Sequence, residues 1–182
     1  RTINDYFINN NLLTLEASPE TDVPANLDLH GGETFCNYCH EFIISMHHNL
    51  TPVIEDIVGA PLLPTYNFTR IYNKGVELVC HKDRAACEIS VTLPIFYSGP
   101  EDEILYMSPN SKEHSSAKDT LAFNITPGQA VLFFGSDDID SNNTKGYYHW
   151  RDPVKNNYIL LSFFHWVYRD GIHKENAYEW KK

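Results

Sequence analysis

No run of about twenty apolar residues occurs in the 182-residue chain, so it contains no segment able to cross a bilayer as a helix, and a membrane partner is not expected. Arg1 to Asn11 lack the charge-then-apolar plan of a secretory signal, which points to a cytoplasmic protein. Basic residues are few. Fourteen Lys and Arg against 24 Asp and Glu give a formal charge of -10, which argues against tight binding to a phosphate backbone and so against a nucleic-acid partner. A local basic pocket can still hold a small dianion. There are only four cysteines, at 36, 39, 80 and 87. The Cys36-x-x-Cys39 pair has no second C-x-x-C to complete a zinc site and no thioredoxin-like βαβ pattern around it. Reduced thiols on a helix face are the expectation, consistent with a reducing compartment. No G-x-S-x-G nucleophile turn, internal repeat or low-complexity segment is present. Three N-x-S/T sequons, at Asn67, Asn124 and Asn142, carry no meaning outside the secretory route.

What is present is a 42% hydrophobic, 13% aromatic chain long enough for one well-buried core. A single domain over 1–182 is expected, with an N-terminal extension and supporting helices over 1–63, a barrel core over 64–170 and a C-terminal tail over 171–182. Turn formers gather between Ser18 and Gly32, while Phe7 to Leu15 reads as a strand or short helix. From Thr34 to Gly59 apolar residues recur at helical steps, Phe35, Cys39, Phe42, Ile43 and Met46 first, then Val53, Ile54, Ile57 and Val58 after an interruption at Asn49 to Pro52. Gly59 and Pro61 stop the helix. The His47-His48 pair is expected near the end of the first helical piece, where imidazoles sit well against the dipole.

After Pro64 the pattern changes to short strands: 66–72, 77–81, 87–93, 104–107, 120–125, 130–134, 145–150 and 158–168. Breaks at Asn73-Lys74-Gly75, Ser98-Gly99-Pro100, Pro127-Gly128 and Asp152-Pro153 separate them. Eight such strands predict a mainly β fold with helices packed on one face, an antiparallel jelly-roll or cupin-like barrel, the double-stranded β-helix. The segments 108–119 and 135–144 are polar loops, the second acidic at Asp137, Asp138 and Asp140. With Glu101-Asp102-Glu103 these loops are expected to flank a cavity mouth and favour a neutral or cationic substrate.

The chemistry concentrates in His81-Lys82-Asp83 and the distant His149. An i, i+2 spacing places His81 and Asp83 on one side of an extended segment, and His149 lies in an aromatic-rich strand that can complete the set. Two imidazoles and a carboxylate on one face of a metal, with the opposite face open, suit non-haem Fe(II). A solvated turn at Lys82 to Arg84, with His149 a hydrogen-bonded core residue, is the plain alternative. Strand parity turns Phe68, Arg70 and Tyr72 to one side, and Glu88, Ser90 and Thr92 away from Ile89, Val91 and Leu93. Tyr147, His149 and Arg151 likewise share a face. Such a polar set inside a barrel is costly unless it satisfies itself or serves a polar ligand.

These motifs, from Phe68 to Arg84, Glu88 to Leu93, Thr126 to Phe133, His149-Trp150-Arg151 and Tyr158 to Val167, cover about the last two thirds of the chain. Together they resemble the 2-oxoglutarate/Fe(II)-dependent oxygenase superfamily, in its prolyl-hydroxylase-like branch. The resemblance implies an Fe(II) centre held by His81, Asp83 and His149, with 2-oxoglutarate and O2 consumed to hydroxylate an unactivated C–H bond. It also implies that Tyr72 contacts the cosubstrate and that Tyr147 and Trp150 pack around the metal. The substrate would be a small molecule, a free amino acid or a peptidyl side chain. One departure stands out. The family places an arginine or lysine nine or ten residues beyond the distal histidine, where this chain has Tyr158 and Ile159. Arg70 and Arg151 are the replacements on inward parity, with Lys155 or a hydroxyl cluster at Ser90 and Thr92 behind them. Arg70 can instead pair with Glu88 as a structural ion pair, and Arg84 can serve either beside the site or on the surface. His165 is expected to line the cavity or rest as a satisfied core residue. The absent late arginine leaves two other readings open: a cupin-like metal enzyme that does not use 2-oxoglutarate, and a non-catalytic barrel that binds a ligand or protein.

Overall fold

The computed structural model describes residues 14–15, 34–137 and 144–181. Two antiparallel sheets carry the fold. β1 (Thr14–Leu15), β2 (Thr34–Tyr38), β3 (Leu62–Asn73), β10 (Tyr158–Tyr168), β5 (Ile89–Tyr97) and β8 (Val131–Phe134) form the larger one in that order. β4 (Leu78–His81), β9 (Tyr148–Arg151), β6 (Glu103–Ser108) and β7 (Leu121–Ile125) form the smaller. Among the described residues one α-helix, α1 (Glu41–Val58), packs on the larger sheet. Each of the eight strands expected from alternation is present, with ends shifted by a few residues.

Two expectations fail at the N-terminal side. Thr34–Tyr38 is strand β2, not helix, and pairs antiparallel with β3 so that Cys36 stands opposite Arg70. Helical spacing of Phe35 and Cys39 was therefore misleading; in so short a stretch, the edge offered by β3 decides the conformation. Cys39 follows at φ 51, in a turn rather than on a helix face. The helix is also continuous through Pro52. Pro removes one N–H and crowds the preceding turn, but Ile43, His47 and Ile54 are buried on one side of both segments and hold them as one element. His40 caps the start, its Nδ1 accepting from the Phe42 N–H at 3.2 Å. Gly59 ends it in the left-handed conformation (φ 75), donating its N–H to the Glu55 carbonyl. His47 and His48 thus lie in mid-helix. Of the stretch expected to be strand or helix over 7–15 only Thr14–Leu15 is described; the turn-rich run that follows, and Asp138 and Asp140, lie outside the described residues.

β10 lies between β3 and β5 and organises both layers. Its side chains alternate: Ile159, Leu161 and Phe163 enter the space between the sheets, while Phe164 and Trp166 face α1 with Ile43, Ile54 and Ile89. In β5, Ile89 and Val91 face the helix as their parity requires, which turns Ser90 and Thr92 inward. The C-terminal segment docks back on the sheets through a Tyr178 N–H to Pro64 carbonyl bond and a bidentate Arg84–Glu179 pair at 2.9 and 2.6 Å.

Candidate metal centre and cavity

His81 ends β4, and its register partner across the ladder is His149 in β9. Pairing alone therefore joins two residues distant in sequence, with ring centroids 4.3 Å apart. Asp83 follows β4 and is tied to the other sheet, its N–H donating to the Gly135 carbonyl just past β8 at 2.9 Å. The Asp83 Oδ1 lies 3.6 Å from His81 Nε2 and 3.5 Å from His149 Nε2. Each histidine spends its other nitrogen on its own strand: His81 Nδ1 donates to the Val79 carbonyl at 2.7 Å and His149 Nδ1 to the Tyr147 carbonyl at 3.3 Å. That assignment fixes the tautomer and leaves both Nε2 lone pairs beside the carboxylate, the arrangement a metal-ligating imidazole needs. One ligand atom from each of the three residues falls within 4.8 Å of the others, so the set fits a divalent cation of borderline softness.

The electrostatics favour the same set. Burial alone would raise the Asp83 pKa, but the attraction of His149, then of His81 and the nearby His165, outweighs it and holds the carboxylate below its ordinary value. Burial lowers His149, whereas for His81 the attraction of Asp83 overcomes burial and raises it. Lys82, between the two ligands, points elsewhere and pairs with Asp137 at 2.7 Å.

A cavity of about 160 Å³ opens beside these residues. That is the scale at which a cavity admits a benzene-sized guest. One end is aromatic, with Tyr66, Phe68 and Phe163 beside His165. The rings pack closely, Tyr66 on His165 and Phe68 on Phe163 both at 4.5 Å between centroids. The other end is cationic, with Arg70, Arg151, Tyr72 and Thr92. The two guanidinium groups flank the Tyr72 ring at 5.1 and 4.7 Å. Arg151 is almost fully buried. Its Nη1 lies 3.4 Å from the Val76 and Asp152 carbonyls and 3.9 Å from Glu103 Oε2, and its Nη2 finds no partner among the described residues. Burial depresses the Arg151 pKa, against the opposing pull of Tyr72 and Glu103.

Several expected residues have other places. Ser90 does not join Thr92 near the arginines: its hydroxyl donates to Asp83 Oδ2 at 2.7 Å and meets His165 Nδ1 at 3.0 Å. Arg70 and Glu88 are not a pair. Arg70 is opposite Leu161, while Glu88 Oε2 accepts from the Tyr168 N–H at 2.6 Å, roughly 20 Å further along β10 at about 3.3 Å per residue. Trp150 turns away from the cavity, as parity with His149 demands, and stacks on Tyr106. Phe133 takes the position beside the His149 ring, 4.8 Å away. An inward parity on β8 was the signal that could have found it. Lys155 borders a separate depression with Asp102 and Asp152. Glu103 is no mouth residue: it is buried and accepts from the Lys155 N–H, the Asn156 N–H and the Asn156 side-chain amide. Arg84 stacks over Tyr66 at 4.4 Å and pairs with Glu179, closing the aromatic end.

No family model matches the sequence, and no curated protein sequence matches it. Solved structures do match. The chain resembles an oxidoreductase of the 2OG-Fe(II) oxygenase family from Burkholderia pseudomallei, with a TM-score of 0.62 over 94% of this chain and 83% of that one at 12% identity. A Pseudomonas putida prolyl-4-hydroxylase matches at a TM-score of 0.58, covering 90% of this chain and 81% of that one at 13% identity. HygX from Streptomyces hygroscopicus, solved with nickel and 2-oxoglutarate bound, matches at 0.59 over 92% and 78% at 10% identity. The fold is therefore the one these structures share.

Proposed function

We propose that the protein is an Fe(II)- and 2-oxoglutarate-dependent dioxygenase built on a double-stranded β-helix, which hydroxylates an unactivated C–H bond. The observation that carries this reading is the convergence of His81 Nε2, His149 Nε2 and Asp83 Oδ1, with both Nδ1 atoms occupied by backbone carbonyls. When bound, Fe(II) with 2-oxoglutarate and O2 supplies the oxidising chemistry that no side chain offers. The protein's part is to bind, orient and exclude. His81, Asp83 and His149 hold the metal; Arg70 and Arg151 bind the far carboxylate of the cosubstrate, Arg70 ranked first because it shares an inner strand face with Tyr72. Tyr72 and Thr92 flank that carboxylate, and Phe133 and Leu161 keep water from the centre. The substrate class is a free or peptidyl amino acid or another small molecule. Free thiols at Cys39, Cys80 and Cys87 support a reducing, cytoplasmic setting.

Anaerobic titration of the metal-free protein with Fe(II) and 2-oxoglutarate should give one Fe(II) per chain and a weak visible charge-transfer band. Asp83→Ala should lose both. Stoichiometric Fe(II) binding by the Asp83→Ala and His149→Ala proteins would overturn the ligand assignment. Succinate release from labelled 2-oxoglutarate separates this enzyme from a metal enzyme that does not use it, and from a binding module.

A further inference from the structure

We propose that Ser90, His165 and Gly135 are positioning residues that hold the Asp83 carboxylate with Oδ1 turned toward His81 and His149 and Oδ2 turned away from them. This inference rests on the reading of His81, Asp83 and His149 as the metal ligands. The two carboxylate oxygens have different surroundings. Oδ1 faces the Nε2 atoms of both histidines. Oδ2 accepts the Ser90 hydroxyl at 2.7 Å. A serine hydroxyl has a single hydrogen, so one that donates to Asp83 can only accept from His165, whose Nδ1 sits 3.0 Å away. His165 therefore carries its proton on Nδ1, and the chain of donors runs from His165 through Ser90 to Asp83. Ser90 and His165 are both buried, at 1% and 4% exposure.

Gly135 closes the remaining side. A Cβ at that position would fall onto Ser90 Oγ, 2.5 Å from Asp83 Oδ2 and 2.6 Å from the Cys87 carbonyl. The same glycine receives the Asp83 N–H through its carbonyl and donates its own N–H to the Glu88 carbonyl. Backbone and side chain of Asp83 are thus fixed by one residue at the end of β8. Glycine is required there because the carboxylate, the hydroxyl and a carbonyl occupy the space of a side chain.

To turn Oδ2 toward the histidines Asp83 would have to leave Ser90, stranding a buried hydroxyl and with it the His165 N–H.

Co(II) alone, added to the metal-free full chain, is the probe. Its visible spectrum reports coordination and its titration reports affinity, while thermal melting of the metal-free form reports folding. Ser90→Ala should weaken Co(II) binding by about tenfold or more, as loss of a partner behind a ligand commonly does, and change the band intensities. Ser90→Thr, which keeps the hydroxyl, should restore both. His165→Asn, which keeps an N–H near the Nδ1 position, should bind more tightly than His165→Phe. Gly135→Ala should weaken binding by displacing the carboxylate. If Ser90→Ala does not fold, the two His165 variants carry the same comparison. Wild-type affinity and spectrum in folded Ser90→Ala, or a melting loss with Co(II) binding untouched, would overturn the proposal while leaving the ligand assignment standing. Failure of the wild-type protein to bind Co(II) would overturn both.

Discussion

Phe163 and Phe164 are neighbours on β10 and belong to different halves of the molecule. Phe164 is fully buried between the larger sheet and α1, among Trp166, Ile43 and Ile89. Phe163 stands on the other side of the same strand, on the wall of the cavity that contains the histidines and arginines. The helix-side layer is mostly apolar, its directed contacts being the Trp166 Nε1–H bond to the Thr51 hydroxyl and the Asn67–His47 pair. The inner layer has an apolar cluster of its own, with Ile159 and Leu161 against Leu105, Met107 and Ile125, and beside it a set of directed contacts, many between ionisable groups. Both faces of β10 should therefore contribute to stability but only the inner one to ligand binding, and substitutions one residue apart should separate the two effects.

Phe164→Ala is expected to give the largest effect. Removing a fully buried phenyl ring leaves a cavity, which costs about 3–5 kcal/mol, and urea unfolding should show that loss. Co(II) affinity of the protein that remains folded should be unchanged. Phe163→Ala should show the reverse emphasis, with a smaller stability loss and altered binding of small aromatic ligands. Equal losses of metal affinity in the two variants would break the division between the faces.

The same alternation explains what was legible in the sequence. The eight strands and the inward set Phe68, Arg70, Tyr72, His149 and Arg151 follow from a period of two bounded by turn residues, a local signal. His81 and Asp83 were readable because two ligands lie two residues apart. β2 was not readable, since its conformation depends on the edge of β3 rather than on its own pattern. Nor was the role of Ser90. Parity placed it inward correctly, but Asp83 reaches it only through the Gly135 carbonyl, a long-range tie that spacing cannot express. Trp150 shows the opposite error: the resemblance implied a metal neighbour, whereas parity already required it to face away.

Within the inner layer the arginine end sharpens the comparison further. Arg70→Gln should weaken 2-oxoglutarate binding by roughly thirtyfold, equivalent to about 2 kcal/mol for a lost charge-assisted contact. Fe(II) affinity without cosubstrate should change little. Arg151→Gln should combine a smaller affinity loss with a stability loss, because it also disturbs the contacts with Glu103 and the Val76 carbonyl. Isothermal titration with each protein, paired with urea midpoints, tests both. Unchanged 2-oxoglutarate binding in both folded variants would remove the arginines from the anchor.

The smallest effect concerns acid, and it sets the buried histidine of the helix layer against those of the inner layer. His47 is fully buried on Trp166 and Phe164; its Nδ1 accepts from the Asn67 amide at 3.3 Å, and its Nε2 has no partner among the described residues. Burial first, then repulsion from His165 and His48, lowers its pKa well below the ordinary 6.5. An unfolded chain takes up that proton as pH falls through about 6.5 and the folded one does not. The stability that His47 contributes is therefore present above 6.5 and lost as pH falls toward its folded value. His165, pushed down to about 4 by burial, and His149, also lowered, act with the same sign. His81 opposes them: its pKa is raised, so its contribution is present below 6.5 and lost as pH rises through the folded value. Three lowered groups against one raised group predict that the metal-free protein loses stability between pH 7 and pH 5. Urea midpoints across that range measure the slope, and His47→Phe should flatten it. An unchanged slope in that variant would mean that the inner histidines alone set the acid response and that the helix layer does not contribute to it.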